Sequence, residues 1–135
     1  MITGGCLCGE IRYEVDGPAI GGGFCYCRDC QKVSGGMPAA VAVFLRSGYL
    51  VTAGAPASHL GRAESGADVT RTFCTKCGTH ISASNLKHPE MLAIKVGTID
   101  QPFRFAPSAN LWTRSALSWH PVDSSMPSFP MQPAS

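Results

Sequence analysis

The amino-acid sequence predicts a mainly β protein, built from several short, coiled antiparallel sheets that metal ions pin together. The 15 glycines and 10 prolines divide the chain into short pieces, and most pieces have the residue types and alternation of strands. Stretches with helical periodicity are scarce. The seven cysteines occur in three clusters with the spacing of metal ligands.

The predicted strands follow one another at short intervals. Residues 11–15 alternate apolar and polar side chains, the pattern of a half-buried strand, whereas Ala39–Leu45 is a continuous apolar run typical of a central strand. The remaining predicted strands are Tyr49–Ala53, 69–73, 79–83 and 91–96. One short helix is predicted over Arg28–Val33, and residues 55–66 are predicted to be a loop-rich connection.

Length and composition are typical of a folded globular protein. The 135 residues are expected to form a single domain, residues 1–135. Apolar residues make up 44% of the chain and charged residues 15%, the formal net charge is +2, and no Lys/Arg run forms a basic stripe. A nucleic-acid interface or an electrostatic membrane partner is therefore not predicted.

The N-terminus and the cysteine count indicate a compartment. Residues 1–15 contain neither a basic leader nor the apolar centre of a signal peptide, and no apolar stretch approaches the ~18 residues that span a bilayer. An odd number of cysteines argues against a disulfide framework. These features predict a metal-binding protein of a reducing compartment, the cytoplasm.

Four of the cysteines form two clips that can share one ion. Cys74 and Cys77 have the spacing of a zinc knuckle, and Gly78 supplies the backbone freedom needed after the second ligand. Cys6 and Cys8 form an N-terminal clip, because residues two apart in an extended chain face the same side. Paired, the two clips close a tetrahedral four-thiolate site of the structural kind.

The remaining cysteines can hold a second ion as a tripod, with one coordination position free for water or substrate. They lie within six residues and are Cys25, Cys27 and Cys30. Two other arrangements are compatible with the spacing: His80 could close this site, or the N-terminal clip could join it. An iron–sulfur cluster is less compatible, because such clusters usually take four cysteines at other spacings.

Five stretches resemble the glutathione-dependent formaldehyde-activating enzyme (Gfa-like) family, whose zinc-pinned fold is the β-tent. They run in order along nearly the whole chain: GGCLCGEIRYEV (4–15), CYCRDCQKVSGG (25–36), RTFCTKCGTHI (71–81), VGTIDQPFRFAP (96–107) and, more loosely, MPSFP (126–130). The chain departs from the family pattern at Tyr26 and Asn110, since many relatives have histidine at the first position and often at the second.

The resemblance implies two zinc ions per chain with different roles. The four cysteines that it assigns to a structural zinc are Cys6, Cys8, Cys74 and Cys77. The three that it assigns to a second, labile zinc at the active site are Cys25, Cys27 and Cys30. The implied activity is that of a carbon–sulfur lyase acting on an adduct of glutathione, or a related thiol, with an aldehyde, such as S-hydroxymethylglutathione.

Physical chemistry limits how a three-thiolate zinc site could assist that reaction. Three thiolates donate so much charge that the ion would be a weak Lewis acid, better suited to capturing a fourth thiol than to polarising a carbonyl. An anionic peptide thiol also needs cationic or amide partners. The candidates are the side chains of Arg71, Arg28 and Lys32, the backbone N–H groups of Ser34, Gly35 and Gly36, and Tyr26 as a proton donor.

One alternative function is a non-catalytic zinc module of the same fold that acts in protein interaction. A four-ligand second site beside an exposed apolar groove would favour that alternative. Nucleic-acid binding, which zinc ribbons often perform, is disfavoured by the modest charge. The sequence leaves open the physiological thiol and aldehyde, and whether the chain forms a dimer.

Overall fold

The computed structural model describes residues 1–132, and this part of the chain is mainly β. The single α-helix within it, α1, is Arg28–Val33. The strands, in chain order, are β1 Ile2–Gly5, β2 Arg12–Val15, β3 Gly21–Cys25, β4 Ala39–Leu45, β5 Tyr49–Ala53, β6 Ala57–Arg62, β7 Asp68–Phe73, β8 His80–Asn85, β9 Met91–Lys95, β10 Asn110–Leu111 and β11 Ser128–Phe129.

The strands form two open sheets. A three-stranded sheet has the order β1-β2-β5, and an eight-stranded sheet has the order β11-β10-β3-β4-β9-β8-β7-β6. The predicted mainly β class is confirmed. Pairing is antiparallel except at one edge, where β10 runs parallel to both β3 and β11 because the C-terminal segment returns alongside β3.

The hydrophobic core lies where the small sheet packs on one face of the large sheet. Strand β2 contributes Tyr13 and Val15, which are 1% and 0% exposed, and β4 and β9 contribute Phe44 and Ile94. Burying such side chains stabilises the fold by about 1.5–3 kcal/mol each. Alternate side chains of each strand point into this core, so the other side chains line the opposite face of the large sheet, which is available for a site.

Elements with a clear sequence pattern form where they were predicted. The helix over Arg28–Val33 and the strands Ala39–Leu45 and Tyr49–Ala53 are confirmed at both ends. The prediction of a loop over 55–66 is wrong, because β6 occupies Ala57–Arg62. Strand β6 is a mostly exposed edge strand, so it carries no alternation of buried and exposed side chains that could have indicated it.

Strand β3 also escaped the sequence analysis, because its sequence Gly-Gly-Gly-Phe-Cys has a low strand propensity. The glycines are required by close packing. A Cβ atom at Gly23 would collide with the backbone carbonyl of Ala109, and one at Gly22 would lie 2.8 Å from the carbonyl oxygen of Val41. Glycine therefore lets β10 and β4 approach β3 from both sides.

Among residues 1–132, no helix has the length and hydrophobicity of a membrane span.

Candidate metal centres and the adjoining cleft

The first candidate metal centre joins the β1–β2 turn to the β7–β8 turn. The sulfur atoms of Cys6, Cys8, Cys74 and Cys77 all lie within 4.8 Å of one another. Cys8 Sγ is 3.6 Å from Cys6 Sγ and 3.8 Å from Cys74 Sγ. A tetrahedral zinc with Zn–S bonds of about 2.3 Å requires sulfurs about 3.8 Å apart, so the four thiols fit that ion.

The β7–β8 turn has the hydrogen bonds of a metal knuckle. The Gly78 N–H donates to the Cys74 carbonyl at 2.8 Å, the Cys74 N–H donates to the Thr79 carbonyl at 2.9 Å, and Gly78 has φ +77°. The hydroxyl of Thr79 lies 3.2 Å from Cys77 Sγ. Hydrogen bonds from the Thr79 side chain and backbone lower the pKa of Cys77 to about 5, which favours the thiolate that a metal binds.

The N-terminal clip is built in the same way. The Cys6 N–H donates to the Ile11 carbonyl at 3.1 Å, and the Gly9 N–H donates to the Cys6 carbonyl at 3.1 Å. The Ile11 N–H also lies 3.3 Å from Cys6 Sγ, a donor that stabilises a thiolate. Two turns from distant parts of the chain thus present matching pairs of sulfurs.

The second candidate metal centre is local in sequence. Cys25 ends β3, Cys27 is the N-cap residue of α1, and Cys30 lies in its first turn. Their sulfurs lie within 4.8 Å of one another, and the Cys30 N–H lies 3.4 Å from Cys27 Sγ. A strand that runs directly into a helix therefore turns the three thiols toward one point.

The second centre has three protein ligands within residues 1–132. The mutually close set there contains only cysteine sulfurs, and neither His80 nor the N-terminal clip belongs to it. The structure thus supports the division into four and three cysteines. Such a donor set fits zinc with one open position, the arrangement of a chemically active site rather than a closed structural one.

The three thiols of the second centre titrate as a unit. Hydrogen bonds with Cys25 and Cys30, together with the positive charge of Arg71, lower the pKa of Cys27 to about 2. The same contacts raise the pKa of Cys25 far above its usual range. The backbone N–H of Cys30 and the charge of Arg71 thus favour a thiolate at Cys27, at the start of α1.

A cleft of about 400 Å³ opens beside α1, on the face of the large sheet opposite the core. Arg71 lies in it with a side chain 13% exposed, 3.9 Å from the carboxylate of Asp29. The other charged or titratable groups around the cleft are Lys32, His59, Arg62 and His80. Basic side chains thus outnumber the acidic one, which suits the cleft to an anionic ligand.

His80 lines this cleft rather than completing the second centre. Its ring lies against Phe73 with centroids 5.6 Å apart, and its buried Nδ1 has no hydrogen-bond partner within the described residues. Burial lowers the pKa of His80, and the charges of Lys95 and Arg71 act in the same direction.

The glycine-containing turn after α1 does not offer the full cradle of N–H groups that the sequence suggested. The Ser34 N–H donates to the Cys30 carbonyl at 2.9 Å, and the Gly36 N–H donates to the Gln31 carbonyl at 2.6 Å. Gly35 takes φ +73°, which lets the chain turn at the helix end. Two of the three expected donors therefore cap α1, and of this turn only the Gly35 N–H stays a candidate.

Tyr26 lies in the core under the C-terminal segment. Its side chain is 1% exposed, its ring packs on His120 with centroids 5.4 Å apart, and burial raises its pKa. The neighbouring strand holds Asn110, which is 0% exposed and donates from Nδ2 to the Asp123 carbonyl at 2.8 Å. Tyr26 and Asn110, the two residues that depart from the family pattern, thus both hold the C-terminal segment in place. The geometry does not support Tyr26 as a substrate contact.

The sequence analysis missed Lys95 on β9. The residue is half-buried, and Cys30, Cys25 and Cys27 are among the groups whose charges act on it. In the sequence Lys95 stands between Ile94 and Val96, like an ordinary polar residue near the end of a strand. Its proximity to the second centre depends on the register of several strands, which no local pattern contains.

A larger cavity, of about 610 Å³, opens on the core side of β4 and contains none of the cysteines. Its lining includes Ala42, Phe44, Gln101, Arg104 and Phe105. Size alone would select this cavity, but the three-cysteine centre lies on the other face of the sheet.

A sequence profile of the family described as glutathione-dependent formaldehyde-activating enzyme matches residues 1–115. That region contains both cysteine centres and the cleft. The chain belongs to this family. The resemblance noted from the five sequence stretches is therefore confirmed.

Comparison with solved structures supports the fold of this family member. A crystal structure of a Rhodobacter sphaeroides protein is similar with a TM-score of 0.59 and 21% sequence identity, over 78% of this chain and 97% of that chain. At this identity the likeness shows the fold alone. No match was found among curated proteins.

Proposed function

We propose that the protein is a zinc-dependent carbon–sulfur lyase that acts on the adduct of a small thiol with an aldehyde, with S-hydroxymethylglutathione as the leading candidate. The observation that carries the proposal is the three-cysteine centre, one ligand short of a closed tetrahedral set, with a cationic cleft on the same sheet face that includes Asp29 and Lys32 of α1. The family that the chain belongs to takes its name from glutathione and formaldehyde. The proposed resident metals are one zinc held by the four-cysteine centre and one held by Cys25, Cys27 and Cys30.

The chain's own residues would act by binding and orienting the substrate. Zinc bound to the three cysteines would supply a position at which the substrate thiol ionises near neutral pH. Arg71, mostly buried in the cleft, would hold a substrate carboxylate, and Asp29 would keep the guanidinium in place. The substrate sulfur would then point toward the cysteines while its charged arms lie along β7.

The reaction itself needs few further groups. In the synthetic direction the substrate thiolate forms a carbon–sulfur bond with the aldehyde carbon, and the carbonyl oxygen takes a proton from water. In the reverse direction the hydroxyl loses that proton and the carbon–sulfur bond breaks. Positioning of the thiolate beside a bound aldehyde therefore accounts for most of the expected acceleration.

Magnetisation-exchange NMR with glutathione and ¹³C-formaldehyde tests the proposal, because it measures interconversion of free aldehyde and adduct against the spontaneous rate. The zinc-loaded protein should increase the exchange rate, the variant Cys27→Ser should not, and Lys87→Gln on an exposed turn should match the wild type. Equal rates with and without the wild-type protein would contradict the lyase assignment and favour the non-catalytic zinc module.

A further inference from the structure

Lys95 is a half-buried lysine whose charge has no carboxylate partner in the described part of the chain. Within residues 1–132, its ammonium group takes part in no ion pair and no hydrogen bond, although its backbone carbonyl accepts one from Thr98. A lysine withdrawn from water without a counter-charge is costly, and burial lowers its pKa. A fold keeps such a group only when something nearby compensates for the charge.

Strand register places Lys95 on the same sheet face as the second centre. Lys95 pairs with Val41 on β4, and Ala39, two residues from Val41, pairs with Cys25 on β3. Directly paired residues and residues two apart share a face, and neighbouring strands lie about 4.8 Å apart. Lys95 and Cys25 are therefore diagonal neighbours across one intervening strand.

The same register brings Arg71 to this face from the other side. Ala93, two residues before Lys95, pairs with Ala83 on β8, which pairs with Arg71 on β7. Among the groups whose charges act on Lys95 are Arg71 and the three cysteines of the second centre, and Arg71 itself lies 3.9 Å from the carboxylate of Asp29. Two cations thus stand near three sulfurs.

The charge balance depends on what occupies the open position. Zinc with three thiolates carries one net negative charge, and a fourth thiolate makes the total two negative charges. Asp29 pairs with Arg71, so Lys95 is the cation of this face that has no carboxylate partner among residues 1–132. The positive charge of Lys95 stabilises the negative charge that a thiolate adds to the centre, whereas a neutral fourth ligand adds no charge.

We propose that Lys95 is a positioning residue that selects an anionic thiolate over a neutral donor for the open position of the three-cysteine centre. This inference rests on the proposed function and deepens it. It assigns the fourth position to thiolate ligands by charge, whereas the carboxylate contacts in the cleft concern the remote parts of the substrate.

Ligand titration of the cobalt-loaded protein, followed by its visible spectrum, tests the proposal without measuring activity. The four-cysteine centre is closed, so its contribution stays constant while a ligand enters the open position of the other centre. The ligands are glutathione and imidazole, one binding as an anion and the other as a neutral donor. The proteins are the wild type, Lys95→Met, which keeps the apolar stem, and Lys95→Arg, which keeps the charge.

In Lys95→Met the affinity for glutathione should fall roughly tenfold, while the affinity for imidazole stays the same or rises. Lys95→Arg should retain the wild-type preference. A parallel loss for both ligands, or an unchanged glutathione affinity, would overturn the inference. Lys95→Gln provides a second charge-removing variant with the same expected result if Lys95→Met does not fold.

The outcomes separate this inference from the proposed function. If the wild-type protein binds no glutathione at the cobalt centre, the proposed function and the inference both fail. If the wild type binds glutathione and Lys95→Met binds it equally well, the lyase proposal stands and only the role of Lys95 is excluded.

Discussion

The two cysteine centres are held by the chain in opposite ways. The four-cysteine centre joins turns that are 66 residues apart, as the pair Cys8 and Cys74 shows. The three-cysteine centre lies within one strand-to-helix junction. Closing a long loop costs chain entropy that must be offset, whereas bringing together three cysteines within six residues costs much less. Metal binding at the four-cysteine centre is therefore coupled to folding, whereas the occupancy of the three-cysteine centre can change while the fold is retained.

Their surroundings differ in the same sense. Around the four-cysteine centre, backbone N–H groups and the hydroxyl of Thr79 are directed at sulfur, and the ligand set is complete. Beside the three-cysteine centre lie Arg71 and Lys95, two cations that are not needed to close a local turn. A centre with a closed ligand set suits a structural role, and a centre with an open position beside cations suits chemistry.

The largest expected effect is the loss of the fold in Cys74→Ser. Structural zinc contributes on the order of 10–16 kcal/mol of apparent binding energy, comparable with the 5–15 kcal/mol stability of a whole domain. Circular dichroism and the thermal transition should report an unfolded or strongly destabilised chain. The matched control is Thr75→Ser, an exposed non-ligand in the same turn. A stable, zinc-free Cys74→Ser fold would break the division of roles.

Next in size is the loss of one zinc in Cys27→Ser with the fold retained. The centre is local, so removing a ligand should lower the thermal midpoint only by a few degrees, the effect of about 1 kcal/mol. Metal analysis should give close to two zinc per chain for the wild type and one for the variant. Destabilisation equal to that of Cys74→Ser would show that both centres are structural.

Cysteine spacing made most of this comparison predictable from sequence. The ligands of each clip are within three residues of one another, and the helix that carries Cys30 formed where it was predicted. The geometry of a clip is decided locally, so local patterns are sufficient to find it. The pairing of the two clips, by contrast, was confirmed only when the structure brought both turns together.

Lys95 and β3 show where sequence patterns carry no signal. The role of Lys95 depends on the register of β3, β4 and β9, and a one-residue slip would move it to the other face. Strand β3 depends on close approach of β10 and β4, so its glycines indicate a turn when read alone. Both features are set by long-range packing.

A smaller effect is expected from Arg71→Gln. Loss of the guanidinium should raise the KM for glutathione about tenfold, equivalent to about 1.4 kcal/mol, and leave kcat and the response to uncharged 2-mercaptoethanol nearly unchanged. The control is Arg62→Gln, whose side chain is 75% exposed at the rim of the same cleft. Equal losses for both thiols would indicate that Arg71 supports the cysteine centre and does not bind a substrate carboxylate.

The smallest expected effect is that of Asp100→Asn, which removes an ion pair beside the small sheet. Asp100 accepts hydrogen bonds from Arg12 on β2 and from Thr3 on β1, and these contacts lower its pKa. With side chains 40% and 36% exposed, the pair should contribute only about 0.5 kcal/mol. The sheet that leads into the four-cysteine centre would then depend on its metal far more than on this pair.

The pH dependence of the stability separates the contribution of the Asp100 ion pair from that of the metal centre. A lowered carboxyl pKa stabilises the fold above its ordinary value of 3.8, and that stabilisation is lost only as the pH falls through the lowered pKa. The stability difference between wild type and Asp100→Asn should therefore be constant from pH 7 to pH 5. Over the same range the stability of both proteins should decline, because cysteines that take up protons release zinc. Urea unfolding of the zinc-loaded proteins measures both quantities, and a difference that shrinks before pH 5 would show that the ion pair and the metal centre are coupled.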